Sequence, residues 1–167
     1  MSRWKRERTT GTDPRSVVLR AAMDLEMGER YAEWSAALSP ETAEAVWALV
    51  SARDEELDVV LALDGDEPVG HAAVRPFEDA LEVKKVYVLP HERGQGISKL
   101  LMLELETIAK ERGVTRLVLQ TGPLQPEAVG LYESLGYRAI EPYGGYGAMP
   151  GALCFEKHLA EQGGTDT

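Results

Sequence analysis

Cysteine is all but missing from this 167-residue chain. Cys154 stands alone, so no intramolecular disulfide can form, and a reducing, cytoplasmic setting is expected. No apolar run approaches the roughly 18 residues that a membrane-crossing helix needs. The opening residues carry Arg3, Lys5, Arg6 and Arg8 but lack the apolar stretch of a secretory signal. Positive charge is also short, with 18 Lys and Arg against 28 Asp and Glu and a formal net charge of -10. That balance argues against nucleic acid as a partner, because displacing phosphate counterions requires a basic face. It tolerates a cationic, polyamine-like substrate. Internal repeats are absent too. The expected organisation is a disordered leader over 1–14, one domain over 15–159 and a disordered tail over 160–167.

What is present reads as an alternation of strands and helices. Val17-Val18-Leu19 suggests a short first strand, followed by a helical region from Asp24 to Ala37. Ser39-Pro40-Glu41 opens a helix with serine as cap and proline at the first position. Val59 to Leu63 is a β-branched and aliphatic run that stops at Asp64-Gly65-Asp66 and resumes at Pro68, which predicts a hairpin. Ala80 to Leu89 alternates at first and then turns apolar on both faces, as a central strand does. After it come a helix striped by Ile97, Leu100, Leu101, Leu105 and Ile108, a strand at Leu117 to Leu119, and a helix begun by Pro126. Tyr137 to Ile140 and Leu153 to Lys157 supply the last strands. The passage from Val83 to Leu119 implies a parallel, right-handed crossover. The expected fold class is therefore α/β (α+β mixed): one mixed, mostly antiparallel twisted sheet of about six to seven strands flanked by helices.

The most informative segment runs Val86-Tyr87-Val88-Leu89-Pro90-His91-Glu92-Arg93-Gly94-Gln95-Gly96-Ile97-Ser98, a central strand leading through a glycine-rich turn into a helix. Glycines at 94 and 96 permit backbone torsions that other residues resist and let a ligand approach the main chain. The first amides of the helix point outward together, and the helix dipole adds about half a positive charge there. An anion is the natural ligand of such a turn, even in an acidic protein. The Walker spacing Gly-x-x-x-x-Gly-Lys-Ser/Thr is absent. A dinucleotide fingerprint fails because Lys99 stands where its third glycine belongs, and no acidic residue ends the next strand. A turn that merely joins strand to helix remains the plain alternative.

Arg93-x-x-Gly96-x-Ser98 resembles the acetyl-coenzyme A signature of the GNAT acetyltransferase superfamily, Gln/Arg-x-x-Gly-x-Gly/Ala, with Ser98 departing at the last position. Gln125-Pro126-Glu127-Ala128-Val129-Gly130-Leu131-Tyr132-Glu133-Ser134-Leu135-Gly136-Tyr137 is similar to that family's second stretch, with Gln125 in place of an asparagine. The resemblance implies the acyl-coenzyme A N-acyltransferase fold and an N-acetyltransferase. That enzyme would move an acetyl group from acetyl-coenzyme A to a small primary amine by direct attack in a ternary complex, with no metal. It also implies that Val86, Tyr87, Val88, Arg93, Gly94, Gln95, Gly96, Ile97, Ser98, Lys99, Gln125 and Tyr132 hold the cofactor.

Acetyl transfer from a thioester needs a stabilised oxyanion, a proton donor for the departing thiolate and an acceptor for the amine proton. By resemblance, Tyr132 is the donor and Glu82 the candidate base; the alternatives are a core aromatic and a solvated strand glutamate. His71, with an ordinary pKa near ~6.5, is a second candidate base, although a lone strand histidine is more often structural. Lys84 and Lys85 read as surface charges. Tyr143 and Tyr146, in the glycine-rich loop Pro142 to Pro150, are expected to wall the acceptor site opposite Tyr31 and Trp34. Cys154 lacks a neighbouring histidine-acid pair, so a cysteine thioester route is a minor reading. The expected partners are acetyl-coenzyme A and a small amine, without nucleic acid or membrane, and with a homodimer left open. Two other readings stay in play: a non-catalytic acyl-coenzyme A sensor, and a protein-lysine or N-terminal acetyltransferase.

Overall fold

The computed structural model describes residues 3–160. Its elements in chain order are β1 (Lys5–Thr10), α1 (Pro14–Arg30), α2 (Ala32–Ala36), α3 (Pro40–Val50), β2 (Asp58–Asp64), β3 (Glu67–Phe77), β4 (Ala80–Val88), α4 (Ile97–Glu111), β5 (Arg116–Thr121), α5 (Pro126–Ser134), β6 (Arg138–Ile140) and β7 (Leu153–His158). One seven-stranded sheet results, in the order β1-β2-β3-β4-β5-β7-β6. Every neighbouring pair is antiparallel except β4 and β5, which the α4 crossover makes parallel.

The expected leader and first strand are both corrected. Lys5–Thr10 is not disordered: it is an edge strand paired with β2 from Lys5↔Leu63 to Thr10↔Asp58. Its side chains are polar because it is an edge. Arg8 reaches Glu104 and Glu111 on α4 at 2.8 and 2.6 Å, so its place rests on backbone pairing and ion pairs, neither of which leaves a hydrophobic pattern. Val17-Val18-Leu19 lies inside α1, not in a strand. Asp13 caps that helix by accepting from the Arg15 amide at 2.9 Å, and Pro14 occupies its first turn. This cap explains why three β-branched and aliphatic residues become helical. The expected tail beyond residue 160 lies outside the described residues.

The two faces of the sheet are covered differently. Val60, Ala62, Ala72, Val74, Leu81 and Val83 meet Leu101, Met102 and Leu105 of α4 together with Tyr132 and Tyr137. The opposite face carries Val59, Leu61, Leu63 and Ala73, which pack on Leu19 of α1. A smaller cluster joins Val46, Leu49 and Val50 of α3 to Tyr146, Met149 and Cys154. Gly70 sets how closely α4 approaches: a Cβ there would stand 2.9 Å from Ile97 Cγ2 and 3.1 Å from Leu101 Cδ1. A larger residue would lift the start of α4 off β3.

Candidate active site

The sheet parts in its middle. β4 and β5 pair only over Leu81↔Leu117, Glu82↔Val118 and Val83↔Leu119. Beyond that rung β4 runs on to Val88 and β5 to Thr121 without meeting. The cause is local. Between His71 and Ala73 the β3–β4 register slips by one residue on the β4 side, and Lys85 takes φ of +56°, a bulge that bends the strand away from its neighbour. The gap leaves the main chain of Lys84 to Val88 without strand partners on the β5 side, and it forms the floor of a cleft of about 530 Å³. The walls come from Met23, Met27, Tyr31 and Trp34 on one side and from Gln120, Thr121, Gln125 and Tyr132 on the other.

At one end of this cleft stands the turn singled out by the sequence. Gly94 and Gly96 adopt φ of +79° and +85°, torsions that a side chain resists. No side chain caps α4, whereas Asp13 caps α1 and Ser39 caps α3. Its first amides are thus available to an anion. Ser98 lines the cleft, and Gly94, Gln95, Gly96, Ile97 and Lys99 surround it without being part of the wall. Arg93 is folded inward: its Nε donates to the Val88 carbonyl at 2.9 Å, its guanidinium reaches Glu26 at 2.9 and 3.0 Å, and it lies 5.5 Å from the Tyr87 ring centroid. Arg93 therefore braces the turn against α1 and the end of β4.

Tyr132 projects from α5 into the deep part of the cleft, packed beside Tyr137 and Phe155 at centroid separations of 5.9 and 6.4 Å. Burial raises its pKa well above the ordinary phenol value, so the hydroxyl remains protonated at any working pH. Gln125 accepts from the Tyr31 hydroxyl at 3.1 Å, and that hydroxyl in turn accepts from the Leu124 amide at 3.1 Å. The α1–α2 junction is thereby fastened to the loop before α5. A Cβ at Gly122 would stand 2.1 Å from the Tyr31 oxygen, so a larger residue there would push the phenol out of this clasp.

Several expected residues stand elsewhere. Glu82 is not on the cleft wall. It is buried on the face toward α3, where it accepts from Arg75 Nε at 2.8 Å and from the Tyr143 hydroxyl at 2.6 Å. Strand alternation explains this: Leu81 and Val83 point to α4, so Glu82 points the other way. Tyr143 and Tyr146 also lie behind the wall, stacked edge to face at 5.2 Å and committed to Glu82 and Lys84. Tyr31 and Trp34, by contrast, do line the cleft. Cys154 is buried behind it, and burial raises its thiol pKa. Lys84 is no surface charge: it is 8% exposed and lines the cleft.

His71 is fully enclosed under α1. Its Nδ1–H donates to the Lys85 carbonyl at 2.7 Å, and its Nε2 accepts from Ser16 Oγ at 2.7 Å, which itself accepts from Arg20 at 2.6 Å. The ring thus pins the bulge and does not touch the cleft. Burial lowers its pKa to about 4. Because the unfolded chain takes up this proton first, stability is full above the ordinary value near 6.5 and declines as the pH falls toward 4. Urea unfolding at pH 7.5 and pH 5 is expected to differ by about 2 kcal/mol from this one group. His71→Gln, compared with itself at the two pH values, loses that dependence.

The seven-stranded, mostly antiparallel sheet with its flanking helices is the fold of the acyl-coenzyme A N-acyltransferases. The chain belongs to the acetyltransferase (GNAT) family, whose model matches residues 19–137. It is similar to the uncharacterized N-acetyltransferase YsnE of Bacillus subtilis, 30% identical over 123 residues, covering 72% of this chain and 81% of that protein. It is also similar to the IAA acetyltransferase of Azospirillum brasilense, 37% identical over 78 residues. There the match spans 47% of this chain and only 51% of that relative. Among solved structures, one from Klebsiella pneumoniae described as an acyl-CoA N-acyltransferase superposes with a TM-score of 0.73 at 26% identity, covering 94% of this chain and 98% of that one. The PaiA N-acetyltransferase of Thermoplasma acidophilum, solved with coenzyme A, shares the fold with a TM-score of 0.67 at 17% identity, over 95% of this chain and all (100%) of that one.

Proposed function

We propose that this chain is an N-acetyltransferase that takes its acetyl group from acetyl-coenzyme A and passes it to the primary amine of a small molecule within a ternary complex. The observation that carries this reading is the coincidence of three features in one cleft: an uncapped helix start with left-handed glycines, an unpaired stretch of β4, and a protonated phenol at Tyr132. The residues fit the cosubstrate. Amides of Gly96 to Lys99 suit a pyrophosphate, and the β5-side edge of Val86 to Val88, where only the Val88 carbonyl is taken, by Arg93, suits an extended amide-bearing arm. Gln125 offers a carboxamide beside that path.

When bound, the cosubstrate supplies an activated acetyl thioester. The protein's own share is positional and electrostatic. The β4 amides would polarise the acyl oxygen, and Tyr132 would hold a proton where the thiolate departs. Water in the open cleft would take the amine proton, since Glu82 and His71 are both held away from it. The small acceptor is supported by the roof that α2 and α3 place over the cleft through Trp34, Val46 and Trp47. Calorimetric titration with acetyl-coenzyme A, followed by free-thiol release with a panel of amines, tests the proposal. Tight uptake and amine-dependent thiol release are expected. Folded protein that binds no acetyl-coenzyme A would refute it, and binding without thiol release from any amine would favour a sensor.

A further inference from the structure

The charges on the cleft wall are unequally satisfied. Asp24 is taken by Lys85 at 3.2 Å, Glu26 by Arg93 at 2.9 Å, and Glu127 by Arg30. Each carboxylate of the wall therefore already has a cation. Lys84 does not have the converse. Its ammonium donates to the Tyr146 hydroxyl at 3.1 Å and lies 5.8 Å from that ring centroid, and it forms no salt bridge with any described residue. The neighbouring carboxylate, Glu82, is bound by Arg75 and Tyr143. Arg75 is also shared with Glu56 at 3.4 Å, so the charges of this group balance, yet Lys84 alone among them makes no ion pair with a described residue, and it is the cation that lines the cleft.

Its position gives this ammonium without an ion pair a purpose. Val83 forms the last β4–β5 rung, so Lys84 stands where the two strands begin to part, at the inner end of the gap. A buried ammonium has up to three donors to satisfy and costs free energy until an anion meets it. Burial already draws its pKa down to about 8, and a bound carboxylate would oppose that shift. Around it the wall is largely apolar and aromatic, through Met27, Trp34, Val46, Trp47, Val50 and Met149.

Building on the acetyltransferase reading above, we propose that Lys84 binds a carboxylate of the acceptor, and that the acceptor class is a free α-amino acid with a large apolar side chain. The net acidity of the chain points toward cationic acceptors, but the cleft wall itself offers an unmatched cation and no unmatched anion among the described residues.

The test uses matched acceptors that differ only in the carboxylate: phenylalanine against phenethylamine, and tryptophan against tryptamine. Thiol release from acetyl-coenzyme A is measured for wild type, Lys84→Met and Lys84→Arg. Lys84→Met is expected to lose roughly 10- to 100-fold in kcat/KM on the amino acids, mostly through KM, and under about 3-fold on the amines. Lys84→Arg should recover part of the loss. Equal losses on both members of a pair would overturn the proposal, as would wild type that acetylates the amines and not the amino acids. If Lys84→Met fails to fold, wild type decides alone: its kcat/KM must favour each amino acid over its amine. Calorimetry with acetyl-coenzyme A separates the two levels. Absent binding refutes the enzyme reading and this inference together, whereas binding and amine turnover without preference for the carboxylate refutes only this one.

Discussion

Tyr132→Phe is expected to lower kcat by about 100-fold or more while leaving the affinity for acetyl-coenzyme A unchanged. The expectation rests on what the hydroxyl does and does not touch. It reaches the cleft, its proton is retained because burial raises its pKa, and no described residue engages it. Its removal therefore takes away a proton donor without breaking a hydrogen bond of the fold. The ring packing on Tyr137 and Phe155 is kept by phenylalanine. Thermal melting should show a midpoint close to that of wild type, since no hydrogen bond of the fold is lost and the ring packing is unchanged. Thiol release under saturating cosubstrate, set beside calorimetric binding, checks both halves. An unchanged kcat would return Tyr132 to the role of a core aromatic.

Gly96→Val should produce the opposite split, with cosubstrate binding lost and little left to measure in turnover. At φ of +85° a β-branched side chain is strained, so the turn must rearrange and the first amides of α4 lose their common direction. Each backbone bond to a charged phosphate is worth about 1.5–3 kcal/mol, so losing two of them weakens binding by roughly a hundredfold or more. The fold itself should survive, because the position is exposed and a Cβ there meets no atom within 4 Å. Circular dichroism indistinguishable from wild type, together with calorimetry that detects no uptake, is the expected pair of results. Retained affinity would show that the anion is held elsewhere.

Most of the sheet was legible in the sequence because its central strands announce themselves by composition. The hairpin at Asp64-Gly65-Asp66, the apolar run of β4 and the crossover through α4 all follow from period and turn chemistry. The two failures have a common cause. β1 is polar because an edge strand buries few side chains, and the helical fate of Val17 to Leu19 was decided by Asp13 and Pro14 just upstream. That capping pair was the signal available.

At the site, the anion turn was readable because glycines carry their own torsional meaning. The partners of Glu82 were not. Arg75 stands seven residues away on the adjacent strand, and Tyr143 comes from a loop with no periodicity, so only the register brings the three together. The burial of Lys84 escapes the sequence for a related reason. A lysine in a strand is ordinarily solvated, and nothing along the chain reveals that Tyr146 will cover it. The clasp between Tyr31 and Gln125, 94 positions apart, was likewise beyond any local pattern.

The three rungs joining β4 to β5 also govern how the whole molecule bears load. β1 through β4 form one continuous leaf and β5, β7 and β6 another, and the leaves share a single short seam at Leu81 to Val83. Each leaf is stiff along its own ladder, while the seam is the compliant place. α4 packs across both, with Leu101, Met102 and Leu105 in the same core as Val83 and Leu117. The width of the cleft is accordingly set in part by buried residues that never reach its wall, and a methyl added at Gly70, against Ile97 at the start of α4, would be felt there as readily as one added on the wall itself.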